Sequence, residues 1–332
     1  MFEEVLSFFD RHRSFILTTH DPPDADGLGA ELVIASILTK MGKSFKIINA
    51  SATPELFRFM DNRGLIEEWN VERHGSFPGQ SAFVVLDTSD EYHTGDMKEI
   101  LNMGLEVFSF DHHEHKAKTG LRGFIDSSAS STSELAVELA LLTGTNLDVQ
   151  TAMAAYTGIV YDSGFFAYSK TSMRTFNAAI KTIECGADPV YVYKQLMETF
   201  SCGALLLQKR TLSTLELHDH GRIAVQIIRG EDLEAAGASF EDAEGFVNIP
   251  LRVKDIEVSI LIKEKSPKEI RCSLRSKGKV NVSKIAQNFG GGGHIAAAGL
   301  KSSLSPEETL AKLLVYVEAC LDPELTANKE GK

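Results

Sequence analysis

The first 110 residues alternate between short apolar runs and segments in which apolar residues recur with helical spacing. The apolar runs have the length of buried strands, and they lie at 14–19, 45–48, 82–86 and 106–110. Strands that alternate with helices predict a parallel α/β sheet. Because such sheets bind ligands beyond the carboxyl ends of their strands, the residues that directly follow the runs are the first candidates for chemistry.

The pattern changes twice further along the chain. From 131 to 200 the apolar spacing is mostly helical, and it opens with Ser131 and Glu134 in the arrangement of a capping box. Alternating segments then predict strands, before a final helix at 306–320. We expect an α/β domain at 1–188, a helical connector at 189–215 and a smaller α+β domain at 216–325.

Composition restricts the class of function. The 34 basic and 46 acidic side chains give a formal charge of −12, which argues against a surface that grips long duplex DNA, although a short phosphorylated ligand needs only a local basic cluster. No apolar stretch reaches the roughly 18 residues of a membrane-spanning helix. The N-terminus lacks the pattern of a secretory signal, so we expect a cytoplasmic protein. The four cysteines lack the spacing of a thiolate zinc site.

The loop after the first apolar run carries three side chains that can bind a metal ion. His20, Asp24 and Asp26 lie within seven residues, and imidazole and carboxylates together hold divalent cations such as Mn²⁺. The prolines and glycines around them allow a loop to turn these side chains toward one point. The alternative is an ordinary polar turn in which Asp24 or Asp26 caps the following helix.

Three further segments end in residues that can bind a metal ion. The run 84–86 is followed by Asp87, the run 107–110 by Asp111, His112 and His113, and an apolar helix ends near Asp162. Each segment alone could be a turn or a cap. Together they match a dinuclear site, in which carboxylates neutralise and bridge two cations about 3.5–4 Å apart.

In order and spacing this series resembles the four motifs of the DHH phosphoesterase family, whose namesake triplet here is Asp111-His112-His113. Segments 270–276 and 290–299 resemble the family's associated C-terminal domain. The length, without extra modules, resembles the nanoRNase (oligoribonuclease)/pAp-phosphatase branch. The chain has two prolines before Asp24 where the family usually has one. This difference leaves the ligands in place but weakens the assignment to this branch of the family.

The resemblance implies two divalent metal ions, Mn²⁺ being the expected metal, with Asp87 bridging them. One ion would be held by His20, Asp24 and Asp87, and the other by Asp26, Asp87, His112 and Asp162. It also implies that Asp111 accepts a hydrogen bond that orients a ligand histidine. His113 would contact the substrate phosphate or donate a proton to the leaving group. Two such ions would lower the pKa of a shared water for attack on phosphorus.

The second domain supplies the candidate substrate contacts. Arg271 and Arg275 are four residues apart in a predicted strand and therefore share a face, where they could bind phosphate; the alternative is two solvated arginines on an edge strand. Glycines allow backbone amides to approach an anion closely, although a glycine run alone is more often a flexible loop. The predicted contacts from this run are Gly291, Gly292, Gly293 and His294. Segment 130–133 is either a simple N-cap or a further contact.

We therefore expect a metal-dependent phosphoesterase with its active site in the cleft between two domains. The resemblance implies short single-stranded RNA oligonucleotides and pAp as substrates, cleaved to mononucleotides and AMP. The alternatives are a cyclic-dinucleotide or linear-dinucleotide phosphodiesterase, a pyrophosphatase or polyphosphatase, and a nucleotide sensor without catalysis. The sequence leaves open the preferred substrate, the residue that stacks on a base, and whether the chain forms a homodimer.

Overall fold

The structure is a computed structural model, and it describes residues 2–74, 81–101, 104–113, 121–266, 269–293 and 295–321. The chain divides into two compact units, Met1–Glu198 and Thr199–Lys332. Each unit contains a six-stranded sheet.

The sheet of the first unit is parallel at every described pair of neighbouring strands. Its strands are β1 (Ser14–Thr18), β2 (Ser44–Asn49), β3 (Ile66–Glu68), β4 (Ser81–Leu86), β5 (Glu106–Asp111) and β6 (Gly123–Ile125). They lie in the order β3-β2-β1-β4-β5-β6. The carboxyl ends of β1, β4 and β5 are therefore neighbours at one edge of the sheet.

Helices surround this sheet, and one of them is buried over nearly its whole length. The helices are α1 (Glu3–Arg11), α2 (Ala25–Lys40), α3 (Val71–His74), α4 (Lys98–Leu101), α5 (Thr132–Leu142), α6 (Val149–Asp162), α7 (Met173–Glu184) and α8 (Pro189–Met197), with 3₁₀ helices at Glu55–Met60 and Glu91–Met97. α2 is apolar on most of its faces, and it packs against α5 and α6 as well as against strands. A helix that is apolar nearly all round is stable only when it is buried in this way.

Two glycines permit α2, α5 and α6 to approach closely. A Cβ atom at Gly29 of α2 would lie 2.8 Å from the carbonyl oxygen of Ala154. A Cβ atom at Gly158 of α6 would lie 2.9 Å from the carbonyl oxygen of Ala25, and both would overlap the hydroxyl of Ser133. The absence of side chains at these two positions therefore fixes the spacing of the three helices.

The second unit has a mixed sheet, in which β8 and β9 are parallel and the other described pairs are antiparallel. The strands are β7 (Glu216–His218), β8 (Ile223–Ile228), β9 (Val258–Ser266), β10 (Glu269–Ser276), β11 (Gly292–Gly293) and β12 (Ala297–Ser302), in the order β11-β12-β10-β9-β8-β7. The helices are α9 (Cys202–Ser213), α10 (Gly230–Ala236), α11 (Val282–Gln287) and α12 (Pro306–Leu321), with 3₁₀ helices at Asp219–Gly221, Glu241–Ala243, Phe246–Asn248 and Pro250–Arg252.

The predicted α/β class is confirmed, and the four apolar runs form β1, β2, β4 and β5. The two short outer strands, β3 and β6, were not predicted because each has three residues and lacks a buried apolar run. The two helices of the predicted connector belong to different units, α8 to the first and α9 to the second. Within the described ranges, no helix is both long and apolar enough to cross a membrane.

We expect Gly158→Ala to lower the free energy of unfolding by about 1–3 kcal/mol, because an added methyl group overpacks the contact between α2, α5 and α6. Urea unfolding measures the change. Gly230→Ala is the control, since a Cβ atom there meets nothing within 4 Å and the residue is exposed. Equal stability of the two variants would contradict a tight helix contact at Gly158.

Candidate metal centre

Residues from five elements meet at the carboxyl edge of the first sheet. His20 and Asp24 follow β1, Asp26 lies in the first turn of α2, and Asp87 follows β4. Four further residues complete the site: Asp111 is the last residue of β5, His112 and His113 follow it, and Asp162 is the last residue of α6. Crossover connections between parallel strands bring these distant segments of sequence to one edge.

The first group of side chains lies around His20. Its Nε2 atom is 3.5 Å from Asp24 Oδ1 and 3.5 Å from Asp87 Oδ2. One ligand atom from each of the three residues lies within 4.8 Å of the others. Their spacing suits a single cation held by one imidazole and two carboxylates.

The second group lies around His112. Its Nε2 atom is 3.2 Å from Asp162 Oδ2, 3.5 Å from Asp87 Oδ1 and 3.8 Å from Asp26 Oδ2. Asp87 thus faces His20 with one oxygen and His112 with the other, which is the arrangement that a bridging carboxylate needs. The backbone of Asp87 is left-handed, with φ at 62°, a conformation that is uncommon outside glycine and occurs at functional sites.

Backbone amides hold two of the carboxylates in place. Asp24 caps α2 by accepting hydrogen bonds from the N–H groups of Asp26 and Gly27, at 2.9 and 3.2 Å. Asp26 accepts from the N–H groups of Thr132 and Ser133, at 2.6 and 2.7 Å. These two amides form the N-terminus of α5, which favours negative charge. The capping role that the alternative interpretation gives Asp24 is therefore present, and the capping oxygen, Oδ1, is also the one that lies 3.5 Å from Nε2 of His20.

The segment 130–133 contributes more than a cap. The hydroxyl of Thr132 donates to Asp87 Oδ1 at 2.9 Å, and the hydroxyl of Ser131 caps α5. Ser130 donates to the buried carboxylate of Glu134, which lies 3.4 Å from the guanidinium of Arg174. The loop that supports Asp26 and Asp87 is thus itself anchored by a buried charged group.

Crowded carboxylates give the site a strong preference for positive charge. Burial, followed by the charges of Asp87 and Asp162, raises the pKa of Asp26 well above its usual range. Burial and the neighbouring carboxylates raise the pKa of Asp162 to about 7. Burial alone would lower the pKa of His20, but hydrogen bonds to Asp24 and Asp87 raise it to about 10. Each shift reduces the net negative charge, a role that bound cations would take over.

The donor set fits divalent cations. His112 Nε2 is buried and has no hydrogen-bond partner among the described residues, although three carboxylates surround it. The other ring nitrogen, Nδ1, lies 3.3 Å from the carbonyl oxygen of Ala129, and a hydrogen bond there would leave Nε2 free to bind a metal. A buried nitrogen aimed at carboxylate oxygens is explained by a cation between them.

Asp111 contacts the neighbouring histidine rather than His112. Its Oδ1 atom is 2.8 Å from Nδ1 of His113 and accepts from the His113 N–H group at 3.1 Å. The hydrogen bond that the resemblance assigns to a ligand histidine is thus made to His113. The bond to Asp111 raises the pKa of His113 to about 8, with burial opposing and the charge of Asp87 adding to the rise. His113 is also 56% exposed, so a protonated imidazole faces the solvent side of the site.

A buried polar network beneath the site was missed by sequence reasoning. Glu31 of α2 is fully buried and accepts a hydrogen bond from Nδ2 of Asn49 at 3.0 Å. The Oδ1 atom of Asn49 in turn accepts from the Thr18 hydroxyl and the Thr19 N–H group, at 3.2 and 3.1 Å. Glu31 and Asn49 therefore fix the end of β1, from which His20 projects. A glutamate within an apolar helical run was the sequence signal.

The candidate substrate contacts lie in the second unit. Arg271 and Arg275 are half-buried on one face of β10, where Arg271 is 3.3 Å from Glu269 and Arg275 donates to the carbonyl of Leu274 at 3.0 Å. Gly291 precedes β11, and Gly292 and Gly293 form that strand and pair with β12. His294 lies outside the described residues.

We expect a divalent cation to stabilise the wild type by about 2.7 kcal/mol at one hundred times its Kd. In Asp87→Asn this gain should largely disappear, because Asp87 faces both groups. In chelator the same variant should be more stable than the wild type, since it removes a repelling charge. Thermal unfolding with and without Mn²⁺ measures both changes. Asp255→Asn, at an exposed position of the second unit, is the control; an equal Mn²⁺ effect in both variants would contradict the metal centre.

Glu31 gives a prediction with a definite pH dependence. Burial raises its pKa from 4.5 to about 8, with the Asn49 hydrogen bond opposing. The folded state therefore binds this proton more tightly than the unfolded chain, and stability falls as the pH rises from 4.5 toward 8. Glutamine cannot lose a proton, so the stability of Glu31→Gln relative to the wild type should increase between pH 5.5 and 7.5. Urea unfolding at both values tests this, with Glu68→Gln as an exposed control. A difference independent of pH would refute a protonated Glu31.

Comparison with known proteins agrees with this geometry. Residues 14–159 match the model of the DHH family, N-terminal domain, and residues 221–322 match the DHHA1 domain. A relative in Bacillus subtilis, named bifunctional oligoribonuclease and PAP phosphatase NrnA, is 27% identical over 89% of this chain and 91% of its own. A relative in Listeria monocytogenes, named cyclic-di-AMP phosphodiesterase PdeA, is 29% identical over 84% of this chain and 43% of its own.

A solved structure has the same fold. The crystal structure of an exopolyphosphatase-related protein from Bacteroides fragilis superposes with a TM-score of 0.83, at 25% identity and 96% coverage of both chains. Both domain models match in the expected order, and the groups around His20 and His112 lie within the first match or, for Asp162, three residues beyond it. The chain belongs to the DHH family and carries its DHHA1 domain.

Proposed function

We propose that this protein is a phosphoesterase that hydrolyses short RNA oligonucleotides to mononucleotides and pAp to AMP, with two divalent cations bound at the candidate metal centre. The observation that carries the proposal is the position of Asp87, whose two oxygens face His20 and His112 at 3.5 Å each. The name and full-length similarity of the Bacillus subtilis relative support this choice of substrates.

The residues divide into two ligand sets. His20, Asp24 and Asp87 hold one cation, and the other is held by Asp26, Asp87, His112 and Asp162. When bound, the cations supply a nucleophile at neutral pH and positive charge beside the phosphate. Mn²⁺ is the proposed metal because imidazole nitrogen and carboxylate oxygen are both suitable ligands for it.

His113 is the proposed proton donor or phosphate contact. The Asp111 carboxylate, 2.8 Å away, keeps the imidazole oriented and favours its protonated form. A pKa near 8 leaves most of the side chain protonated at neutral pH, so it can donate to the oxygen that leaves phosphorus. Asp111 acts through His113 and is a positioning residue.

The second unit provides the proposed phosphate contacts. Arg275 is half-buried, and no ion pair to it occurs among the described residues, so its guanidinium is available to an anionic ligand. Arg271 and the residues Gly291, Gly292, Gly293 and His294 are further proposed phosphate contacts. The cytoplasmic location and a homodimer remain predictions.

A cyclic-dinucleotide phosphodiesterase is the second candidate, because the Listeria monocytogenes relative carries that name. That relative is much longer, with 43% of its length covered by the match, whereas the Bacillus subtilis relative is covered over 91%. The difference in length favours the substrates of the shorter relative.

We expect Mn²⁺-dependent release of mononucleotide from a 5′-phosphorylated RNA dinucleotide and of AMP from pAp. Asp87→Ala should lower kcat/KM for both by more than the roughly 10–100-fold that loss of a residue supporting a metal ligand costs. Asp255→Ala, at an exposed position, should leave both unchanged. Product analysis that also includes cyclic diadenylate and pyrophosphate ranks the alternatives. Preferred turnover of either of these two compounds would reject the proposed substrates, and no turnover of any would favour a sensor.

A further inference from the structure

Three cations lie side by side across the sheet of the second unit. Arg271 of β10 is directly opposite Lys263 of β9 and directly opposite Lys301 of β12. Directly opposite residues of antiparallel strands point to the same face of a sheet. We call Lys263, Arg271 and Lys301 the cation row.

The cation row is under-neutralised. Like charges directly opposite one another destabilise a sheet, and in the described part of the chain the row has one ion-paired carboxylate, Glu269, at 3.3 Å from Arg271. Glu244 and Glu241 act on Lys263 at longer range, and they do not prevent burial and the charge of Arg271 from lowering its pKa. An arrangement that costs stability in the free protein is explained when an anionic ligand uses it.

The row lines a pocket large enough for a ligand. The pocket has a volume of about 560 Å³, and its walls include Phe240, Phe289, Gly290 and Gly291. Lys263 Nζ lies 4.1 Å from the centre of the Phe240 ring, which holds the ammonium group at the wall. Gly299 also lines the pocket, and a Cβ atom there would have one atom within 4 Å, the carbonyl oxygen of Cys272 at 3.6 Å. Among the described residues, no other group therefore fills the pocket at this position. Ligand pockets typically measure about 300–1,000 Å³.

The pocket is distinct from the surroundings of Arg275. Arg275 lies four positions beyond Arg271 along β10, a distance of roughly 13 Å at the rise of a strand. Arg275 is not part of the pocket wall. A phosphate bound at the cation row therefore occupies a different position from a phosphate bound at Arg275.

We propose that the cation row is a separate binding position for a phosphate of an oligonucleotide, one that is not the phosphate being cleaved. The inference rests on the proposed function, and it assigns three phosphate positions: the metal centre, Arg275 and the cation row. pAp has two phosphates, whereas 5′-phosphorylated triadenylate has three. The cation row thus favours binding of oligonucleotides that carry a third phosphate. The affinity for pAp does not depend on the row, because its two phosphates occupy the metal centre and Arg275.

Binding to the full-length chain is measured with Ca²⁺ in place of Mn²⁺, so that cations occupy the metal centre. Product analysis of each sample checks that the ligands stay intact. The test variant is Lys263→Gln with Lys301→Gln, and the control is Lys284→Gln with Lys312→Gln, which removes the same charge from exposed positions of the second unit outside the pocket. We expect the test variant to raise the Kd of 5′-phosphorylated triadenylate at least about tenfold, a loss of 1.4 kcal/mol. The Kd of pAp should change less than about twofold in both variants.

Two further readouts separate a ligand contact from a structural role. The slope of log Kd against log salt for triadenylate should fall by about 0.7 in the test variant, as for one single-strand phosphate contact. The thermal midpoint of the test variant should equal or exceed that of the wild type, because repulsion between like charges is removed. A structural role would instead lower the midpoint.

The outcomes distinguish this inference from the proposed function. Equal affinity for triadenylate in the test and control variants overturns the proposed phosphate position at the cation row. An equal loss of affinity for triadenylate and pAp in the test variant overturns it as well. Neither result affects the proposed function. A wild type that neither binds triadenylate nor hydrolyses any short RNA overturns both.

Discussion

The repulsion among buried carboxylates is the constraint on which the rest of the first unit depends. Asp26 is fully buried beside Asp87 and Asp162, a position that is costly for a charged group without compensation. Compensation comes from the amides of Thr132 and Ser133 at the start of α5. These amides reach Asp26 because glycines on α2 and α6 let the helices approach closely. The electrostatics of the site therefore depend on the packing of the helices.

The sequence allowed the position of the site to be predicted because it depends on local signals. Apolar runs define β1, β4 and β5, and the rule that parallel strands align their carboxyl ends places His20, Asp87 and His112 together. The roles of Asp111 and Glu31 depend instead on side-chain orientation. His112 and His113 are adjacent in sequence, but their side chains contact different partners. Neither composition nor spacing predicts which of the two histidines contacts Asp111.

Pairing between strands was also beyond prediction, and it matters most in the second unit. The alternation of β10 indicates that Arg271 and Arg275 share a face. The register of β10 with β9 and β12 decides that Lys263 and Lys301 flank Arg271, and a shift of one residue would turn them to the opposite face. A charge cluster assembled from three strands is invisible in a sequence in which its members lie 8 and 30 residues apart.

The distribution of charge explains how an acidic chain can act on a polyanion. Net charge describes long-range attraction, whereas a ligand of a few nucleotides contacts a small part of the surface. In the first unit, carboxylates gather around His20 and His112, where they favour cations. In the second, Lys263, Arg271 and Lys301 gather where a phosphate would offset their repulsion. Each unit concentrates one sign of charge at a cost to its own stability, and a ligand of the opposite sign would offset that cost. The net charge of −12 is the sum of such local excesses and does not predict the charge of the ligand.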